Sequence, residues 1–186
     1  LFMADSIAKI CDKLNIPWIY KSCYDKDCRS SPKSFHGVGL DEGLKILSEV
    51  RDNFKIPVVS DFSDPSWAVA TGEVCDMVQV PAYLCRQTSI LRAAALTKRP
   101  VHLKKGQFMS PWNMKNSVRK IEEFKNKNIL LTDRGTFFGY NMLVNDMRNF
   151  SIMAETGYPV CYDATHSIHL PTSMGNISGG QREFIP

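Results

Sequence analysis

Lys21, Lys26, Arg29, Ser30 and Ser31 follow the apolar, aromatic run Trp18-Ile19-Tyr20 in quick succession, with no glycine or proline between them. Ammonium and guanidinium groups give charge-assisted hydrogen bonds to carboxylate and phosphate oxygens, and serine hydroxyls fill the acceptor sites left over. A solvated basic loop has the same composition, so the stretch takes its meaning from residues elsewhere. Ionisable or amide side chains recur just after short apolar runs: Asp61, Gln79, Lys104 with Lys105, Asp133 with Arg134, and Asp163 with His166. With Arg86 added, the cations outnumber the carboxylates Asp61, Asp133 and Asp163. A cationic excess gathered in one place is costly unless anions neutralise it, which points to ligands such as two phosphates and a carboxylate. Arg86 lies in Pro81-Ala82-Tyr83-Leu84-Cys85-Arg86, where backbone amides entering the next helix would assist a phosphate. His166 suits a metal ligand, an acid–base group or a satisfied core histidine. His169 stands three residues on, but the residues between do not read as helix, so the two are not taken as a metal pair.

These side chains need a scaffold that brings strand ends together. Residues 1–14 read as a helix, with Ile7, Ile10, Cys11 and Leu14 at helical spacing. A glycine-bearing loop through residues 35–39 leads to a second helix over 41–54, with Leu44, Leu47, Val50 and Phe54 on one face and Asp41 as its N-cap. Beyond it, apolar runs at 57–59, 77–80, 101–103, 129–131 and 159–162 are each followed by a helix-length segment. Continuous β-branched runs mark strands buried on both faces, as in parallel sheets. Functional groups collect at the C-terminal ends of such strands. Gly37-Val38-Gly39 lacks the third glycine of a dinucleotide-binding turn, so a barrel fits better than a nucleotide-binding open sheet. A complete barrel takes about 250 residues. The expectation is an α/β chain forming one catalytic domain over residues 1–186, a (β/α)8 TIM barrel truncated to about its second to seventh strands.

A net charge of +4, with no clustered basic helix, argues against nucleic acid as a partner. The longest apolar runs fall far short of the roughly 20 residues that span a bilayer, and the first residues do not read as a secretory signal. A cytoplasmic protein with no membrane partner is expected. The six cysteines show no C-x-x-C spacing and read as reduced thiols. Cys23 and Cys28 stand among cations, which disfavour a metal there.

Together these motifs give the chain a strong resemblance to the 3-deoxy-D-manno-octulosonate 8-phosphate synthase family. The matching segments are Lys21-Ser22, Asp25-Lys26 and Arg29-Ser30-Ser31; Gln79-Val80-Pro81-Ala82 with Arg86-Gln87-Thr88; Lys104-Lys105-Gly106-Gln107-Phe108; Asp133-Arg134-Gly135 with Phe138-Gly139-Tyr140; and Asp163-Ala164-Thr165-His166. The resemblance implies an eight-stranded barrel, usually a homotetramer. It implies condensation of phosphoenolpyruvate with arabinose 5-phosphate, releasing phosphate, on the cytosolic route to the lipopolysaccharide sugar Kdo. By position, Lys21 and Lys26 would hold the phosphoenolpyruvate carboxylate. The Ala82 backbone, Arg86, Lys104 and Arg134 would hold its phosphate, and Arg29 and Ser30 would grip the sugar phosphate. Asp61 and Gln79 would line the site, and His166 would sit by the reacting carbons. The catalytic set so implied is Lys26, Asp61, Lys104 and His166, with Lys104 managing protons because neighbouring cations depress its pKa. Cofactors are then none, or one divalent metal with His166 as a ligand.

Two departures stand out. The family's Lys-Ala-Asn-Arg-Ser is here Lys26-Asp27-Cys28-Arg29-Ser30, and its Asp-Val-His-Glu-Pro is Asp61-Phe62-Ser63-Asp64-Pro65. The sister 3-deoxy-heptulosonate-phosphate synthases, which take erythrose 4-phosphate, carry Lys-Pro-Arg-Thr-Ser in that loop and fit less well. A phosphosugar-binding domain without turnover is a third reading, favoured by the two departures and opposed by retention of every phosphate-holding cation.

Overall fold

The computed structural model describes residues 1–174 and 177–185. In chain order its elements are α1 (Phe2–Leu14), β1 (Tyr20–Lys21), α2 (Leu40–Phe54), β2 (Val58–Asp61), α3 (Ala68–Val74), β3 (Met77–Val80), α4 (Thr88–Leu96), β4 (Val101–Lys104), α5 (Met114–Glu123) and β5 (Ile129–Asp133). Then come β6 (Thr136–Phe137), β7 (Leu143–Val144), α6 (Arg148–Ala154), β8 (Val160–Tyr162), α7 (Ala164–Ser167), β9 (His169–Met174) and β10 (Ile177–Gly180). Six strands form one parallel sheet in the order β1-β2-β3-β4-β5-β8. It curls into a half-barrel, which agrees with the α/β, barrel-like expectation without closing eight strands.

The pleat sorts the side chains. Val78 and Val80 on β3, Val101 and Leu103 on β4, and Ile129 and Leu131 on β5 are buried in a core with Leu47, Val50, Ile90, Leu91, Val118 and Ile121 from the helices. Burying each such side chain contributes about 1.5–3 kcal/mol. Successive residues point to opposite faces, so Gln79, His102, Lys104 and Thr132 occupy the other face. The register sets Gln79 opposite His102 and Lys104 opposite Thr132, so polar groups converge there because apolar ones are drawn outward to the helices.

The expected double burial holds for β2 to β5 and fails at the sheet edges, where β1 and β8 are half-buried or exposed. The second helix begins at Leu40 with Gly39 as its N-cap, which offers no side-chain bond. Asp41 stands instead in the first turn, where a carboxylate favours the helix dipole. Two antiparallel hairpins, β6–β7 and β9–β10, have no counterpart in the sequence reading. All six cysteines are free thiols. No helix among the described residues is long and apolar enough to cross a membrane.

The loop after β1 is rooted at Tyr24. This ring is buried, bonded through its hydroxyl to Thr71 Oγ1 at 2.7 Å and set edge-on to Trp67. Gly37 passes so close that a Cβ would lie 2.1 Å from Tyr24 O, and its φ of +122° suits glycine alone. The Gly39 N–H donates to Tyr24 O at 3.1 Å, and the Lys26 N–H donates to His36 O. The cationic loop is thus pinned at its base, while Cys28, Arg29 and Ser30 remain exposed.

Candidate active site

At the C-terminal ends of the strands, the side chains on the inner face are tied in pairs. Lys21 at the end of β1 meets Asp61 at the end of β2 at 3.1 Å, and Cys23 Sγ donates to Asp61 Oδ1 at 2.7 Å. Burial raises the Asp61 pKa, but Lys21 and Cys23 outweigh it and hold the carboxyl below its usual range. Burial likewise works against the Lys21 charge, and Asp61 reverses the direction, so its pKa is raised.

Asp163 binds the second pair. One of its carboxylate oxygens meets both Lys104 Nζ and His166 Nδ1, the latter at 2.7 Å. The other accepts the His166 backbone N–H at 3.0 Å, capping α7. Burial pushes the Asp163 pKa up, and His166 and Lys104 drive it far down, so it is a carboxylate at any ordinary pH. The Lys104 pKa is lowered as expected, but burial is the largest cause; Asp163 opposes the shift, and Arg134 and Lys21 add to it.

The neighbouring Lys105 faces the opposite way. Its Nζ is fully buried, lies 3.2 Å from Asp133 and donates to Thr136 Oγ1 at 3.0 Å and Gly135 O at 3.3 Å. Asp133 also accepts the Arg134 N–H at 2.9 Å and Asn149 Nδ2 at 2.8 Å. This buried knot locks the turn that carries Arg134.

Lys21, Asp61, Gln79, Ala82, Lys104, Arg134 and His166 line one cavity of about 260 Å³, with Cys23, Tyr83, Gln107 and His169 among them. A second cavity of about 340 Å³ is lined by Lys26, Arg29, Asp25, Asp27 and Ser63. The two share a wall of Cys23, Cys28, Asp61, Pro81, His166 and His169 and are best described as inner and outer lobes. Seven of the expected site residues therefore meet in the inner lobe, and Lys26 and Arg29 in the outer.

Two expected residues stand apart. The 3-10 turn Ala82–Leu84 carries the chain outward, so Arg86 is exposed and lines a separate cleft with Phe108, Asn113 and Lys120. Its carbonyl is taken by Lys120 Nζ at 2.7 Å. Ser30, exposed on the loop, lines neither lobe. Sequence reasoning missed Cys23, Gln107 and His169. Gln107 is buried with its Oε1 unpartnered among the described residues. The His166 and His169 rings sit edge-to-face 4.9 Å apart, so the two histidines set aside as a pair are neighbours after all. The three-residue spacing was the available signal, and it works here through a short helix running into a strand. Burial lowers the His169 pKa, and cationic neighbours add to it.

Among the described residues no three His, Cys, Asp or Glu side chains converge as a metal site requires. His166, the expected ligand, has Nδ1 on Asp163, an arrangement that orients the ring and leaves Nε2 as the nitrogen a metal would take.

A family model described as the DAHP synthetase I family matches residues 1–185. The chain is 51% identical over 183 residues to a 2-dehydro-3-deoxyphosphooctonate aldolase of Protochlamydia amoebophila, covering 98% of this chain and 66% of the relative. It is 51% identical over 185 residues to the protein of that name from Rickettsia rickettsii, and 50% identical over 186 residues to one from a Cyanothece species, covering 100% of this chain and 68% of each relative. The chain thus spans about two thirds of the length of these curated relatives.

Proposed function

Because the chain belongs to the DAHP synthetase I family, we propose that it serves the condensation of phosphoenolpyruvate with arabinose 5-phosphate, yielding 3-deoxy-D-manno-octulosonate 8-phosphate and phosphate. Its relatives are named for 2-dehydro-3-deoxyphosphooctonate, the product this condensation would form. The observation that carries the reading is the two-lobed cavity, in which each lobe has its own cations and the wall between them carries His166 and Asp61. Two anionic substrates held in adjoining lobes meet at that wall, and positioning of this kind removes about 7–11 kcal/mol from a bimolecular barrier at best.

In this reading Lys104, Arg134 and the Ala82 backbone hold the phosphate of phosphoenolpyruvate, and Lys21 its carboxylate. Arg29 holds the sugar phosphate, and Lys26 stands between the two charges. Arg86 and Ser30 join only if the loops bearing them move inward. The enol carbon adds to the aldehyde carbon, water adds to the resulting cation, and the carbon–oxygen bond to phosphate breaks. Lys104, a buried amine with a lowered pKa bonded to Asp163, passes protons together with His166. No step is assigned to a metal. Residues 1–186 act as one catalytic unit in the cytoplasm, holding about the second to seventh strands of a barrel, and intact copies assemble as a homotetramer.

The test is phosphate release by the chain given phosphoenolpyruvate with arabinose 5-phosphate or with erythrose 4-phosphate, each with and without a chelator. Release with the five-carbon sugar alone is expected; release with the four-carbon sugar alone would transfer the chain to the heptulosonate branch. Binding of both substrates without release would make it a phosphosugar-binding domain, a reading that Cys28 and Ser63 on the outer lobe favour.

A further inference from the structure

The wall common to the two lobes holds several groups able to donate or accept a proton or hydrogen bond, and most are already engaged. Asp61 is bonded to Lys21 and Cys23, and His166 to Asp163. Among the described residues the His169 imidazole makes no hydrogen bond and has one ring contact, the edge of His166. Its backbone is fixed, because His169 opens β9 and pairs with Gly180 of β10. A half-buried imidazole on a hydrogen-bonded strand, lining both lobes, is set to meet whatever fills the junction.

What fills it follows from the chemistry of each lobe. The inner lobe answers anions with Lys21, Lys104 and Arg134, and Arg29 answers the phosphate of the outer ligand. At the junction lies the end of the outer ligand remote from its phosphate, which for a phosphorylated aldose is the carbonyl end with its neighbouring hydroxyl. An imidazole offers one donor and one acceptor, which suits a carbonyl and a hydroxyl better than it suits a phosphate. The geometry points to His169 as a specificity-determining residue that hydrogen-bonds the carbonyl end of the phosphorylated aldose. This rests on the reaction proposed above and adds to it a contact for the sugar's reacting end.

The experiment compares His169→Ala, His169→Phe and His169→Gln with the unsubstituted chain in Michaelis constants for both substrates, with melting temperature as a check on folding. Ala and Phe should each raise KM for the aldose phosphate about tenfold, the usual effect of losing one such bond, and leave KM for phosphoenolpyruvate within about twofold. Gln, which can donate and accept, should recover most of the loss. Normal aldose KM in the Phe variant would mean that the ring only packs on His166, and equal rises for both substrates would mean that the hairpin has shifted; either overturns the assignment. If the unsubstituted chain releases no phosphate with either sugar, the proposed reaction fails separately, and calorimetric binding of arabinose 5-phosphate in the presence of phosphoenolpyruvate decides the contact. Weaker binding by Ala and Phe but not Gln supports it; unchanged binding, or none by the unsubstituted chain, overturns it.

Discussion

The two lobes are built on different principles. The inner one stands on strand ends: Lys104, Arg134 and Gln79 are buried, and Asp163, the Lys105–Asp133 pair and the sheet register fix their neighbours. The outer one stands on a loop, where Arg29 and Cys28 are exposed and the nearest buried anchor is Tyr24. The asparagine and histidine of the family pattern that this chain replaces, at Cys28 and Ser63, fall on the outer lobe, Cys28 on the wall it shares with the inner one, whereas Lys21, Gln79, Ala82, Lys104 and Arg134 in the inner lobe keep the pattern.

The largest break in that contrast comes from behind the inner lobe. Lys105→Met leaves Asp133 buried without its cation, a loss of about 3–5 kcal/mol for an unpaired buried charge. Urea denaturation should show the fall in midpoint, and phosphate release should fall with it as the Arg134 turn loosens. Stability equal to that of the unsubstituted chain would mean that Asn149 and the backbone N–H groups suffice for Asp133, and that the buried pair does not set the inner lobe.

His102 tests the same floor by pH. It lies on β4 two residues before Lys104, bonded to Thr132 Oγ1. Burial, reinforced by Lys104 and Lys21, lowers its pKa to about 4 from the ordinary 6.5. Between those values the unfolded chain binds a proton that the folded chain refuses, so stability is intact above about pH 6.5 and falls as pH drops toward 4, by up to about 3 kcal/mol. The fall in melting temperature between pH 7 and pH 4.5 should be smaller in His102→Gln. An identical pH profile in the variant would assign the acid loss to other groups.

How much of this the sequence disclosed divides along the same line. The apolar runs at 77–80 and 101–103, with the polar residues in or just after them, made the strands and Gln79 and Lys104 legible, while the alternation that sends Val78, Val80, Val101 and Leu103 outward became visible only in the structure. Pairings across many residues could not: Lys104 with Asp163 depends on the sheet register and on the α7 turn, and neither leaves a local pattern. Arg86 lies off the two-lobed cavity because a 3-10 turn, unlike a strand, sends successive side chains in directions that spacing does not reveal. The β9–β10 hairpin escaped because its run mixes polar, proline and glycine residues, so His169, though noticed, had no strand to place it.

Gly37→Ala carries the contrast to the loop. The added methyl would sit against Tyr24 O, in a backbone conformation costing about 1–3 kcal/mol for a residue with a side chain. Because the Lys26–His36 bond is adjacent, the strain should displace the loop cations. KM for the sugar phosphate should rise several-fold more than KM for phosphoenolpyruvate. Equal rises would mean that the loop root also sets the inner lobe and that the two regions are not separable.

The smallest expected effect is a gain. Cys28 is exposed, lies on the wall between the lobes, and its thiol pKa is raised by burial of the sulfur and by Asp27 nearby, so it stays a neutral thiol with weak hydrogen bonding. Cys28→Asn would restore the amide that the family pattern places at the sugar, at no cost to a core that this position does not touch. One neutral hydrogen bond is worth about 0.5–1.5 kcal/mol, so KM for arabinose 5-phosphate should fall about two- to tenfold with phosphoenolpyruvate unaffected. A further gain on adding Ser63→His would show that the outer lobe tolerates both substitutions independently. An unchanged sugar KM in both variants would mean that the loop holds its ligand through Lys26 and Arg29 alone, and that the neutral side chains of the outer lobe are free to drift because the charges do the binding.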